Sequence, residues 1–276
     1  MRSLTSAVSG MQQFQQEMDV IGNNIANVNT IAFKSSRDDL ADSFSQTLDQ
    51  IGQIGLGVTT EKISENFAQG ALSQTGVPTD LAVNGSGFFQ VKDPTSGQEY
   101  VTRAGNFQVD QNGYLVTDTG QRVQGYNDLG LSTIGDIQID ASVRPSGASS
   151  TATMTGFTIN NDGTIDVSLS DGTQYTRGQI LMQNFSTPQD LVSVGDNLYT
   201  GIGGAGPLGG ASSPTPAAPS TNGLGSIQAG SLELSNVDLS NEFANLITTE
   251  RAFQANARVI TTSDEMLQEL ANLKQP

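Results

Sequence analysis

Three features of the sequence predict an α+β fold, with paired N- and C-terminal coiled-coil-type helices and a central antiparallel β domain. Apolar residues recur in heptads through residues 4–28 and again through residues 232–267. Between these segments, short alternating β-type runs are punctuated by Gly, Asn and Asp. Sustained heptads call for a helix packed along a helix. Alternation broken by turn residues calls for antiparallel strands.

Residues 1–34 are predicted as the N-terminal helix. Leu4, Met11, Met18 and Ile25 form one series, and Ala7, Phe14, Ile21 and Val28 form the other. A rod of this length measures roughly 35–40 Å at 1.5 Å per residue. A chain that is 36% hydrophobic has little core in which to bury it alone. Residues 231–276 supply the partner helix, through Leu232, Leu239, Leu246, Phe253, Ile260 and Leu267. Phe243, Ala257 and Ala271 flank that series, and Glu250 and Asp264 interrupt it. Asp238 or Ser240 is placed to cap the start, with Glu242 in the favourable first turn. An ordinary antiparallel helix pair within one subunit fits the same spacing.

Residues 35–79 read as a connector mixing extended segments and loops, rich in Gln, Ser and Gly. Residues 80–200 read as the β domain, with hairpin turns at Asn112-Gly113 and Asp162-Gly163. FQVDQNGYL from Phe107 and FTINNDGTI from Phe157 align without a gap, so two similar hairpins are expected. Residues 201–230 carry no charge and are dominated by Gly, Pro, Ser, Ala and Thr, the composition of a linker.

Composition removes several functions. The 276 residues include no His, Cys or Trp, so the usual general base, thiolate nucleophile and zinc ligands are missing. A net charge of −16 repels phosphate backbones and anionic membrane surfaces, so neither nucleic acid nor membrane insertion is expected. No run approaches the roughly 20 apolar residues of a membrane span, and no ordinary signal peptide is visible.

The remaining motifs have plain explanations. GIGGAG at Gly201–Gly206 fits a phosphate-binding pattern, but the PLGGASSPTPAAP that follows does not open a helix. DQNGY and NNDGT lack the ligand register of a calcium loop and suit hairpin turns. Asp38, Asp39 and Asp42, with Glu61 or Glu65, lie beside Lys34, Arg37 and Lys62, which favours a solvated mixed-charge face over a metal site. Carboxylates for glycoside cleavage normally line an aromatic cleft, and only 6% of these residues are aromatic. No enzyme, catalytic residue, cofactor or metal is expected.

DVIGNNIANVNTIAFK, from Asp19 to Lys34, crowds Asn23, Asn24, Asn27 and Asn29 into one short stretch. With Ile25 at a and Val28 at d, these amides fall at f, g, c and e, off the seam. Asn weakens a helix because its amide competes for backbone groups. One explanation is a fraying helix end facing water. The other is a polar contact with further copies of the chain, since amides donate and accept without the cost of burying ions.

The segment SAVSGMQQFQQEMDVIGNNIANVNTIAFKSSR resembles the N-terminal motif of bacterial flagellar axial proteins. LELSNVDLSNEFANLITTERAFQANARVITTSDEMLQELANL resembles their C-terminal motif. LGVTTEKI, FAQGALSQTG, DLAVNGSGFFQV, YVTRAGNFQVDQNGYLVTDTGQRVQGY and VGDNLYT are similar to the hook and distal-rod branches, so the likeness spans nearly the whole chain. The compact connector SQTLDQIGQIGLGV, together with SNVDLSNEF and ITTSDEMLQEL, favours the hook branch in a short form, with the distal-rod branch as the alternative. Only residues 127–156 stand where large hook proteins carry an extra outer domain, so that domain is missing or vestigial. Ala32 departs from the family's usual Gly before Phe-Lys, where a positive φ would be strained.

The resemblance implies a structural subunit of a helical tube that transmits torque from rod to filament. Its terminal helices would form an inner coiled-coil layer around a channel. Its partners would be copies of itself, rod and hook–filament junction proteins, the export apparatus and the hook cap. Its place would be the hook or basal body, reached by flagellar export without cleavage.

Overall fold

The computed structural model describes residues 2–43, 45–48, 52–55, 57–140, 143–145, 149, 151–208 and 216–273. Two compact units emerge. One comprises Met1–Val28, Lys34–Asn66 and Val237–Pro276, and the other Asn29–Phe33 and Phe67–Asn236.

The helical unit contains α1 (Arg2–Ala26) and α2 (Leu239–Leu273), with strands β1 (Ser36–Asp42), β2 (Ser45–Leu48), β3 (Gly52–Gly55) and β4 (Val58–Glu65). α1 stops at Ala26, short of residue 34, because the Asn-rich turn closes it. The Asn27 N–H donates to the Asn23 and Asn24 carbonyls at 3.1 and 3.2 Å. α2 starts at Leu239, later than residue 231. Asp238 caps it by accepting from the Ser240 N–H at 2.9 Å, and Glu242 lies in the first turn. The connector is a pair of antiparallel hairpins, β1 with β4 and β2 with β3.

The β unit carries the remaining strands, all paired antiparallel. They are β5 (Leu72–Gln74), β6 (Leu81–Asn84), β7 (Phe88–Lys92), β8 (Glu99–Thr102), β9 (Gln108–Val109), β10 (Leu115–Val116), β11 (Arg122–Tyr126) and β12 (Ile134–Asp136). After these come β13 (Met154–Ile159), β14 (Thr164–Leu169), β15 (Gln174–Ile180), β16 (Met182–Gln183), β17 (Val192–Gly195), β18 (Leu198–Thr200), β19 (Ser226–Ala229) and β20 (Ser231–Glu233). One large sheet runs β13-β14-β15-β11-β7-β8-β18-β17, with β9, β10, β12 and β16 off that path. β19 pairs β6, and β20 pairs β5.

β7 is buried on both faces. Phe89 and Val91 join a core with Leu81, Val123, Ile165, Ile180 and Ile227, while Phe88 joins a smaller one with Val101, Phe185 and Tyr199. Phe67 meets Phe88 and Tyr199 edge-on, with centroids 5.6 and 5.4 Å apart. Gly105 crosses the main chain so closely that a Cβ there would lie 1.6 Å from the Leu81 carbonyl oxygen.

The two aligned segments make matching turns. Asp110 N–H donates to the Tyr114 carbonyl and Gly113 N–H to Asp110, and Asn160, Thr164 and Gly163 repeat this pattern. Gly113 and Gly163 adopt φ of +83° and +79°, which explains the glycine in each.

Two boundaries need correction. The 201–230 segment is part of the β unit wherever it is described. Ile202 and Ala205 are buried in the smaller core, and Ile227 sits in the larger one. Its glycines mark turns, but its few apolar residues are enough to anchor it; residues 209–215 lie outside the described set. Leu232 belongs to β20, not to the helix, because Ser231 and Glu233 point inward on a strand with alternating burial. Of residues 127–156, the described part holds the Asp128 loop, β12 and the start of β13, and several positions from 141 to 150 lie outside it.

Ala32 is fully buried with φ +56°, a conformation costing an L-residue roughly 1–2 kcal/mol. It is held there by its N–H donating to the Glu233 carbonyl at 2.8 Å, and by Asn197 donating to the Ile31 carbonyl at 2.7 Å.

Candidate assembly interface

α1 and α2 run antiparallel, as three layers show. Gly10 lies against Asn256, whose amide nitrogen would be 2.5 Å from a Cβ there. The Thr249 hydroxyl donates to the Glu17 carboxylate. The Asn24 amide donates to Glu242 Oε1 at 3.2 Å. Each step of seven residues along α1 is thus matched by seven backwards along α2.

The contact therefore also takes in residues from positions expected to lie off the seam. On α1, Ala7 and Ile21 are buried, while Leu4, Met11, Phe14, Met18 and Ile25 are half-buried, as is Val28 just beyond its end. Gly10 and Asn24 are also buried, in positions expected to lie off the seam. On α2, Leu246, Phe253 and Ile260 are half-buried, and Thr249 and Ser263 are buried. Leu239, Phe243 and Leu267, expected in the seam, are exposed instead. An apolar residue at every seventh position fits a flank as well as a seam, so spacing did not distinguish them. Glu242, Thr249, Asn256 and Ser263 share a seven-residue spacing, and that polar series was the overlooked signal.

The outward side of α2 carries large apolar residues among its polar ones: Phe243 is 49% exposed, Ile247 58% and Met266 62%. α1 also leans on the β1–β4 hairpin. Val58 N–H donates to Ser9 Oγ at 3.5 Å, and Thr60 Oγ1 meets the side-chain oxygens of Gln13 and Gln16.

The four Asn separate into different roles. Asn24 is 1% exposed and entirely occupied within its own unit. It donates to the Ser36 carbonyl at 2.8 Å and accepts from the Ser36 N–H at 2.9 Å. Its expected contact with another copy is therefore corrected to a splice between α1, β1 and α2. Asn27 donates to the Asn23 carbonyl and side-chain oxygen at 2.9 and 3.0 Å, and Asn23 and Asn29 are exposed. Asn24→Ala should destabilise the helical unit by roughly 2–3 kcal/mol, because the Ser36 backbone loses two partners. Asn27→Ala should change it by less than about 0.5 kcal/mol. Helix-monitored thermal unfolding of the two variants checks this.

In the β unit a cleft of about 270 Å³ is lined by Thr102, Asn106, Asp118, Asp196 and Asn197 among others. Asp118 accepts from the Asn106 and Gln108 amides at 2.5 and 2.9 Å, so it braces β9 and its neighbours. Among the described residues no group of His, Cys, Asp and Glu is arranged to hold a metal ion. No described helix is long and apolar enough to cross a membrane.

Comparison with known proteins locates these features. A model described as flagella basal body rod protein matches residues 4–34. The flagellar hook protein FlgE/F/G D1 domain matches 82–167, and the flagellar basal body rod FlgEFG protein C-terminal matches 228–273. The flagellar basal-body rod protein FlgG of Bacillus subtilis (strain 168) is 40% identical over 287 residues, covering 100% of both chains. The chain belongs to the flagellar hook and basal-body rod protein family.

Other relatives of this axial protein bear on its branch. FlgG of Caulobacter vibrioides is 34% identical, over 99% of this chain and 100% of its own. The flagellar hook protein FlgE of Treponema pallidum is 48% identical over 140 residues, which is 46% of this chain and 30% of that one. The full-length relatives thus favour the rod branch over the hook branch expected from the short connector. A compact connector was a weak discriminator, because these residues form hairpins rather than an open loop.

Proposed function

We propose that this axial protein is a structural subunit of the distal rod of the flagellum, polymerising with copies of itself into a helical tube. The observation that carries this reading is the end-to-end match to basal-body rod proteins, against a partial match to a hook protein. The exposed apolar face of α2 supports polymerisation. Phe243 and Ile247 lie one turn apart on the outer side of α2, and adjacent large exposed apolar side chains mark a contact surface. A contact between this face and a different face of the next copy is heterologous and does not close, which generates a helical filament. The helices would then form a coiled-coil layer between subunits. Deleting the gene and imaging isolated basal bodies tests the assignment. The rod reading expects a shortened rod; a complete rod lacking only the hook would return the chain to the hook branch.

A further inference from the structure

We propose that proton uptake by Glu17, Asp38 and Glu242 tightens the helical unit, so that acidification stabilises α1, α2 and the β1–β4 hairpin while the β unit gains nothing. Glu17 and Glu242 sit in the α1–α2 contact, and at Asp38 several acceptors converge on one hydroxyl hydrogen. Thr60 has one hydroxyl hydrogen, yet it lies against Gln13 Oε1, Gln16 Oε1 and Asp38 Oδ2. The other Asp38 oxygen, Oδ1, is buried and accepts no hydrogen bond. A proton on Asp38 supplies a further donor to this cluster. Glu17 occupies the middle layer of the seam opposite Thr249, which is 4% exposed. Glu242 occupies the next layer, against Asn24.

The surrounding charges do not favour the ionised form. Those on the packed elements are Arg2 and Asp19 on α1, Lys34 beside β1, Arg37, Asp39 and Asp42 on β1, Glu61, Lys62 and Glu65 on β4, the cap Asp238, and Glu250, Arg251, Arg258, Asp264, Glu265 and Glu269 on α2. The charges acting on the three are carboxylates: Asp38 on Glu17, Asp39 on Asp38, and Asp238 on Glu242. Arg37, mostly exposed, is engaged with Asp39 at 2.9 Å. Burial, reinforced by these neighbours and opposed by single hydrogen bonds, raises all three groups above the usual carboxylate range.

The β unit is built in the opposite sense. Asp128 is lowered to about 2 by the Thr133 backbone N–H and by the Ser132 side chain and N–H. Hydrogen bonds likewise lower Asp93 and Asp171, and at Asp136 those from Gln124 and Arg122 outweigh the upward push of burial. A carboxylate raised on folding binds its proton more readily in the native state, so stability falls as pH rises through the window and returns as pH drops. A lowered carboxylate contributes stability above its unfolded value and loses it on acidification. The helical unit therefore gains stability as pH falls toward the ordinary carboxylate range, and the β unit weakens below about pH 4.

The chain reports on its two units separately. All five tyrosines, and no tryptophan, lie in the β unit, whereas both long helices lie in the other. Thermal unfolding of the full chain is followed by far-ultraviolet and tyrosine circular dichroism at pH 7 and about pH 5, above the isoelectric point of about 4.1. The helix-monitored midpoint is expected to rise by several degrees at the lower pH, without a matching rise in the tyrosine signal. If the helices are largely unfolded in the monomer at pH 7, the expected result is a gain in helical signal on acidification. The triple variant Glu17→Gln, Asp38→Asn, Glu242→Gln should show the raised midpoint already at pH 7 and little further response. Should the triple variant fold poorly, Glu17→Gln alone should show a smaller shift in the same direction. A wild-type helix signal that stays flat or falls at pH 5 overturns the proposal, as does a variant that keeps the full response.

Discussion

Arg103→Ala should destabilise the β unit by about 3–5 kcal/mol, the range found when one partner of a buried ion pair is removed. Arg103 Nη1 lies 3.4 Å from Glu233 Oε2, and the two side chains are 5% and 0% exposed. Burial pulls the guanidinium below its usual range, and the Glu233 charge partly restores it. Nη2 also donates to the Gly85 carbonyl at 3.0 Å, and the guanidinium stacks over Phe88 at 5.1 Å. Glu233 in turn accepts from the Gly70 N–H at 2.9 Å through its other oxygen. The pair thus ties β20 to the strands around β7. Truncating the arginine removes a buried counter-charge from the Glu233 carboxylate, a loss comparable with that of a large apolar side chain nearby. The double variant Arg103→Met, Glu233→Gln should lose less, since no uncompensated charge remains. Urea unfolding followed by tyrosine fluorescence measures both. A loss below about 1 kcal/mol for Arg103→Ala would show the pair to be energetically idle.

The second large effect concerns assembly rather than folding. Phe243→Glu combined with Ile247→Glu should abolish incorporation into rods while leaving the isolated chain's stability nearly unchanged. Both side chains are about half exposed in the single chain, so the monomer tolerates the charge. In a subunit contact the same carboxylates are buried without partners, at about 2–3 kcal/mol per contact, or roughly 30–150-fold in affinity. Every subunit repeats the defect. Motility and electron microscopy of basal bodies read the outcome, with circular dichroism of the purified chain as the folding control. Normal rods built from the doubly substituted chain would remove α2's outer face from the interface.

Much of the architecture is written locally. The heptads of residues 4–28 and 239–267 announce two long helices because a 3.6-residue period needs no distant information to be seen. Asp238 caps α2 as its side-chain chemistry suggests, and Gly113 and Gly163 mark matching turns because only glycine adopts their φ without strain. Ala32 in a left-handed conformation was also foreseeable, since it stands where a glycine is usual in the family.

Other features depended on what lies across space. Which flank of each apolar series faces the partner helix is a matter of rotation by about one residue, and period alone is blind to it. Asn24 looked like an outward amide by register, yet the β1 backbone at Ser36 and the α2 carboxylate of Glu242 converge on it. The glycine- and proline-rich stretch around Ile202 and Ala205 looked like linker by composition, and its burial depends on Phe88, Val101 and Tyr199 from other strands.

By itself, then, the sequence determined the helix–β–helix order, the turn positions and the helix cap, which rest on local periodicity and side-chain chemistry, while its likeness to known proteins carried the flagellar axial family. Only the tertiary structure decided that polar layers share the α1–α2 contact with the apolar heptads, and that Glu17, Asp38 and Glu242 share one packed unit. Those relations arise between residues far apart in the chain, where a carboxylate's environment is set by its neighbours in space and not by its neighbours in sequence.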